Sequence, residues 1–104
     1  MTLRRISHAR SGDKGTTINI SLIAYDAHDY PRLVRHVTAD RVKARFAAIV
    51  GGGVVRYELP AIGALNFVLS GVDGGGVTRT LALDAHGKSL SSALLDMEIS
   101  DDEM

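Results

Sequence analysis

The sequence contains no cysteine in its 104 residues. That excludes a disulfide scaffold, thiolate-bound metals, iron–sulfur clusters and a nucleophilic thiol. An excess of one charge is also missing: twelve Lys and Arg balance twelve Asp and Glu. A general polyanion binder takes its affinity from surplus cations, so no nucleic-acid partner is expected. No apolar run approaches the ~18 residues of a membrane-spanning helix. The basic start Met1-Thr2-Leu3-Arg4-Arg5 lacks the apolar stretch of a signal peptide. The expected location is the cytoplasm, with no membrane partner. The four histidines, His8, His28, His36 and His86, show neither H-x-x-x-H nor H-E-x-x-H spacing, so no metal site is expected. Walker A, Rossmann and G-x-S-x-G patterns are absent too, and no cofactor is implied.

What is present fits one domain over residues 1–104, with 45% hydrophobic and 23% charged residues. Residues 3–9 read as a first strand. Residues 17–25 are a clearer one, with Ile18, Ile20, Leu22 and Ala24 on one face. Arg10-Ser11-Gly12-Asp13-Lys14-Gly15 is expected to be the loop between them. Pro31 suits the first turn of a short helix that turns Leu33, Val34 and Val37 inward. Thr38 reads as the N-cap of a second helix, which is expected to end at Gly51. Val54–Leu59 is a strand with Val55, Tyr57 and Leu59 on one face. Residues 61–70 satisfy both helical and alternating periodicities; helix is the choice made here. Residues 77–84 read as a strand, and Leu90, Ala93, Leu94 and Met97 as a last helix. Met97-Glu98-Ile99 suits a short closing strand, and residues 100–104 an acidic frayed tail. Two strands before the first helix favour an α+β sandwich: an antiparallel or mixed sheet with helices packed on one face.

Three segments hold candidate chemistry. In Arg10–Gly15, Gly12 and Gly15 free the backbone to point N–H groups into a concavity, and Arg10, Lys14 and Ser11 surround it. Such parts suit a phosphate or carboxylate. The plainer reading is a polar turn braced by Asp13 with both cations solvated. In Asp84-Ala85-His86-Gly87-Lys88, turn chemistry accounts for Asp84 and Gly87 without a ligand and is the favoured reading; the functional alternative makes His86 and Lys88 an acid/base or anion-binding pair. In Gly74-Gly75-Gly76-Val77-Thr78-Arg79, the glycines serve either a flexible connector or close approach to another backbone or a ligand, with Arg79 beside them. Asn66 sits in an apolar run and needs hydrogen-bond partners if buried. His8, Asp13 and His86 are the acid/base candidates for catalysis.

Taken in order, the runs His8–Gly15, Asn19-Ile20, Arg56–Pro60, Ala64–Leu69, Gly74–Arg79 and Leu83–Lys88 resemble the AtuA-like family over about residues 6–99. The chain is similar to the small C-terminal domain of the acyclic terpene utilisation proteins. The resemblance implies a ferredoxin-like α+β fold. It also implies a link to bacterial catabolism of terpenoid or branched acyl-CoA compounds. In larger relatives this domain follows a much bigger one, so a larger AtuA-like subunit, a homo-oligomer, or both are the implied partners. The leading expectation is an accessory or substrate-binding subunit that holds an acyl-CoA phosphate or small carboxylate. Arg10, Ser11, Gly12, Lys14, Gly15, Asn66, Gly75, Arg79 and Lys88 would form its site. The alternatives are a structural or oligomerisation module, and a small acyl-CoA hydratase or isomerase with its active site at an interface.

Overall fold

The alternation of Ile18, Ile20 and Leu22 sets the centre of the sheet. The structure is a computed structural model that describes residues 1–72 and 90–100, the side chain of Asp13 excepted. Among the described residues four strands form the sheet: β1 (Ser7–Lys14), β2 (Thr17–Ala24), β3 (Val54–Leu59) and β4 (Ala64–Leu69). Their order is β1-β2-β4-β3, and every neighbouring pair is antiparallel. Among the described residues three α-helices, α1 (Tyr30–His36), α2 (Ala39–Arg45) and α3 (Leu90–Leu95), accompany it. The domain is α+β, as its alternating and helical periodicities predict.

The register shows which face the helices cover. Ile18, Ile20 and Leu22 lie opposite Leu69, Phe67 and Leu65 of β4. All six are buried, in one cluster with Leu33 and Val37 of the α1 region, Val42 and Phe46 of the α2 region, and Leu90 and Leu94 of α3. Burying each such side chain contributes about 1.5–3 kcal/mol, so these rows fix the strand pairing.

Local chemistry explains the helix starts. Pro31 sits in the first turn of α1, where a missing N–H costs nothing. Thr38 Oγ1 accepts the Arg41 N–H at 3.2 Å and caps α2. At the other end of the chain, Leu3 N–H donates to Met97 O at 3.0 Å and Ile99 N–H to Met1 O at 2.8 Å. The expected pairing at Met97–Ile99 is thus a bridge to the N-terminal segment, Thr2 opposite Glu98.

Four expectations are corrected. Residues 61–70 are not a helix: Pro60–Ile62 make a 3-10 turn, Gly63 takes φ +64°, and β4 follows. Insertion between β2 and β3 decides this, because the alternate residues Leu65, Phe67 and Leu69 find matching partners there. Arg10–Gly15 is not a loop, since β1 runs through to Lys14 and only Gly15 and Thr16 turn the chain. Gly15, at φ +68°, occupies the first turn position, where a two-residue hairpin of type II′ places glycine. The first strand begins at Ser7, because Leu3–Arg5 form a 3-10 turn tied by Ser7 Oγ to Leu3 O at 2.7 Å. Helix α2 stops at Arg45 instead of Gly51, with Phe46 leaving helical geometry. Gly51 and Gly52 instead donate their N–H groups to Gly71 O and Ser70 O, at 2.9 and 3.0 Å. The expected strand at 77–84 and the Gly74–Arg79 and Asp84–Lys88 segments lie outside the described residues, as do 101–104.

Candidate functional site

The face of the sheet turned away from the core carries the candidate site. Residues directly opposite one another in an antiparallel pair share a face, so the register orders this surface into rows. One row is Arg10–Ser21–Asn66–Tyr57, across all four strands. On one side of it lies Gly12–Asn19–Val68–Val55, and on the other His8–Ile23–Ala64–Leu59. Lys14, opposite Thr17, ends the face beside the hairpin turn. These rows hold Arg10, Lys14 and His8 on β1 and no carboxylate at all.

Strand β3 is inverted relative to an ordinary solvated sheet. Such a sheet turns apolar residues to the core and polar ones to water. In β3 the core side carries Arg56 and Glu58 after Val54, which packs against the core, while Val55, Tyr57 and Leu59 point outward and are exposed. Arg56 is accommodated because Nη1 donates to Val34 O at 2.7 Å and Val37 O at 3.1 Å, the orphan carbonyls at the end of α1. Its Nη2 meets Glu58 Oε2 at 3.0 Å. Tyr25 and Ile62, 67% and 65% exposed, add further apolar surface at the end of the sheet. The His8 ring stacks on Tyr25 with centroids 5.1 Å apart.

The sequence-derived site residues divide accordingly. Arg10, Gly12, Lys14 and Asn66 come together on the open face; Ser11 occupies a row of the opposite face, opposite Ile20. Gly15 is spent on the turn. Asn66 Nδ2 donates to Ser21 Oγ at 2.9 Å, a brace between β4 and β2. Arg10 and Lys14 stand four residues apart on one strand, about 13 Å, too far to grip one carboxylate together. Arg10 and Asn66 are separated by two strand spacings, about 10 Å. Gly12 is inside a strand, so the backbone concavity expected of a loop is not formed. His8 lies on the open face, opposite Ile23, and the side chain of Asp13 is outside the described part of the structure. His86, Gly75, Arg79 and Lys88 lie outside the described residues. Sequence reading missed Tyr57, Val55, Leu59 and Ser21 as site residues. Their signal was the apolar set at 55, 57 and 59 alternating with Arg56 and Glu58, which has meaning only once the buried face is known.

A second feature is a cleft of about 330 Å³ between Tyr25, Tyr30 and the Pro60–Gly63 turn. The Tyr30 hydroxyl is buried and makes no hydrogen bond of acceptable geometry among the described residues. Burial, followed by the Glu58 carboxylate, raises its pKa above 10.0, while Arg56 and the Leu59 amide pull the other way.

Among the described residues no three His, Cys, Asp or Glu side chains cluster to hold a metal, and no helix is long and apolar enough to cross a membrane. No curated protein and no solved structure matches the chain. The model of the AtuA ferredoxin-like domain matches residues 1–100, the whole of the sheet and its helices, and the chain belongs to that family.

Proposed function

We propose that the protein is an accessory, substrate-binding subunit that uses the open sheet face as its working surface. It acts with a larger AtuA-like protein in the breakdown of terpenoid or branched acyl-CoA compounds. The observation that carries this reading is the inversion of β3. An antiparallel sheet gains nothing in water from three outward apolar residues, whereas an interface core is made of such groups. The cationic edge supplies the second half. Arg10 and Lys14, with no carboxylate among the described residues of their face, favour an anionic group brought to the interface, such as the phosphates of a CoA ester or a carboxylate. The ~13 Å between the two cations suits an extended anion with several charges better than a single small one.

Isothermal titration of the chain with a larger family protein, with and without an acyl-CoA, tests the reading. Tyr57→Asp is expected to weaken the protein–protein step at least tenfold. Arg10→Ala and Lys14→Ala are expected to weaken acyl-CoA binding severalfold each and to flatten its salt dependence. Unchanged affinities in all three variants would refute it.

A further inference from the structure

We propose that the open face pairs with the same face of a second copy, so that the free protein is a homodimer with β1 of each copy over β3 of the other. This rests on the reading of the face as a docking surface, and on neither the larger partner nor the acyl-CoA. The size is right. Tyr57, Val55, Leu59, Tyr25 and Ile62 are 41–67% exposed, which leaves on the order of 500 Å² of apolar surface, within the ~300–600 Å² of the largest patch on an ordinary monomer, a size that often marks a functional surface. The polar and cationic positions around it bring the face near the ~800 Å² per partner of an ordinary stable interface.

The register selects the arrangement. Two sheets stacked face to face are related by a twofold axis lying between them. An axis across the strands stacks β1 on β1 and brings two sets of Arg10, Lys14 and His8 together with no carboxylate among the described residues of that face to relieve them. An axis along the strands, between β2 and β4, stacks β1 on β3 instead. Heights along the strand are preserved, so the row Arg10–Ser21–Asn66–Tyr57 meets itself reversed. Each Arg10 guanidinium then lies over the Tyr57 ring of the other copy, a cation–π contact made twice. Each Ser21 faces an Asn66, which have hydrogen-bonding groups to spare at the centre. The ~30° rotation usual between stacked sheets moves the outer contacts by about 4 Å, within reach of a long arginine.

Sedimentation velocity of the full chain over a range of concentrations tests this. The wild type is expected to sediment at twice the 11.1 kDa chain mass. Arg10→Glu and Tyr57→Arg are each expected to weaken association at least tenfold. An equimolar mixture of the two should recover the dimer, because one interface then pairs Glu with Arg and the other keeps Arg with Tyr. Recovery also shows that both variants are folded. A wild type that is monomeric throughout overturns the proposal. A dimer indifferent to both substitutions, or a mixture that fails to recover, overturns it equally. A dimer that takes up no acyl-CoA leaves it standing and counts against the ligand reading alone.

Discussion

Gly52→Ala should be among the most damaging small substitutions in the chain, and Gly53→Ala beside it should be harmless. A Cβ at Gly52 would lie 2.7 Å from Ser70 O and 2.9 Å from the Ser70 carbonyl carbon. Both are backbone atoms, so relief requires the two segments to part. Three backbone hydrogen bonds join them: Gly51 N–H to Gly71 O, Gly52 N–H to Ser70 O, and Ser70 N–H to Gly53 O, at 2.9, 3.0 and 3.0 Å. Each contributes about 0.5–1.5 kcal/mol net, so losing two or three costs about 2–4 kcal/mol. For a domain of this size that lowers the melting temperature by roughly 10–20 °C. A Cβ at Gly53 meets nothing within 4 Å, and its φ is not positive. Gly53→Ala should therefore leave stability unchanged or raise it by up to about 1 kcal/mol, through the smaller freedom of the unfolded chain. Thermal and urea denaturation of the two variants in parallel decide the matter. Equal melting temperatures would refute the reasoning, because composition and position are matched and only the close approach differs.

Three further outcomes are expected. Arg56→Met, which keeps the stem but leaves Val34 O and Val37 O unmet, should cost about 2 kcal/mol in urea unfolding, and Arg56→Lys should recover less than half of it, since an ammonium lacks the planar fork. Thr38→Ala should lose about 1 kcal/mol by the same assay, and Thr38→Ser should restore most of it. Tyr30→Phe should be neutral or stabilising by up to about 1 kcal/mol at neutral pH, because the buried hydroxyl it removes makes no well-formed hydrogen bond among the described residues. The folded pKa of Tyr30 lies above its ordinary 10.0, so the wild type holds its full Tyr30 contribution below that pH. It loses that contribution as the pH rises through the folded value, and Tyr30→Phe lacks this part of the alkaline decline.

Where one interaction dominates, the sequence announces the structure. Ile18, Ile20 and Leu22 alternate cleanly and became the central strand; Thr38 and Pro31 mark helix starts by chemistry that acts within one turn. Where two interactions compete, local pattern misleads. Leu65, Val68, Leu69 and Val72 keep helical spacing, but Phe67 is buried opposite Ile20, and no reading of one segment supplies that partner. Gly12 and Gly15 suggested a loop around two cations. One fits a strand beside Asn19, whose Oδ1 lies 3.7 Å from where its Cβ would be, and the other makes the turn. The cations themselves were legible as charge, and Arg10 and Asn66 do share a face, but only register shows that the row between them runs through Ser21 to Tyr57.

On the proposed docking, strand β3 uses one face for the core and the other for a partner. Substitutions along Val54–Leu59 should sort by parity: even-numbered changes report in melting curves, odd-numbered ones in sedimentation and titration. Drift at either parity is then checked by a different failure, which ties this short ribbon to two masters and gives a homologue's residues at 55, 57 and 59 diagnostic value for whether it, too, keeps company.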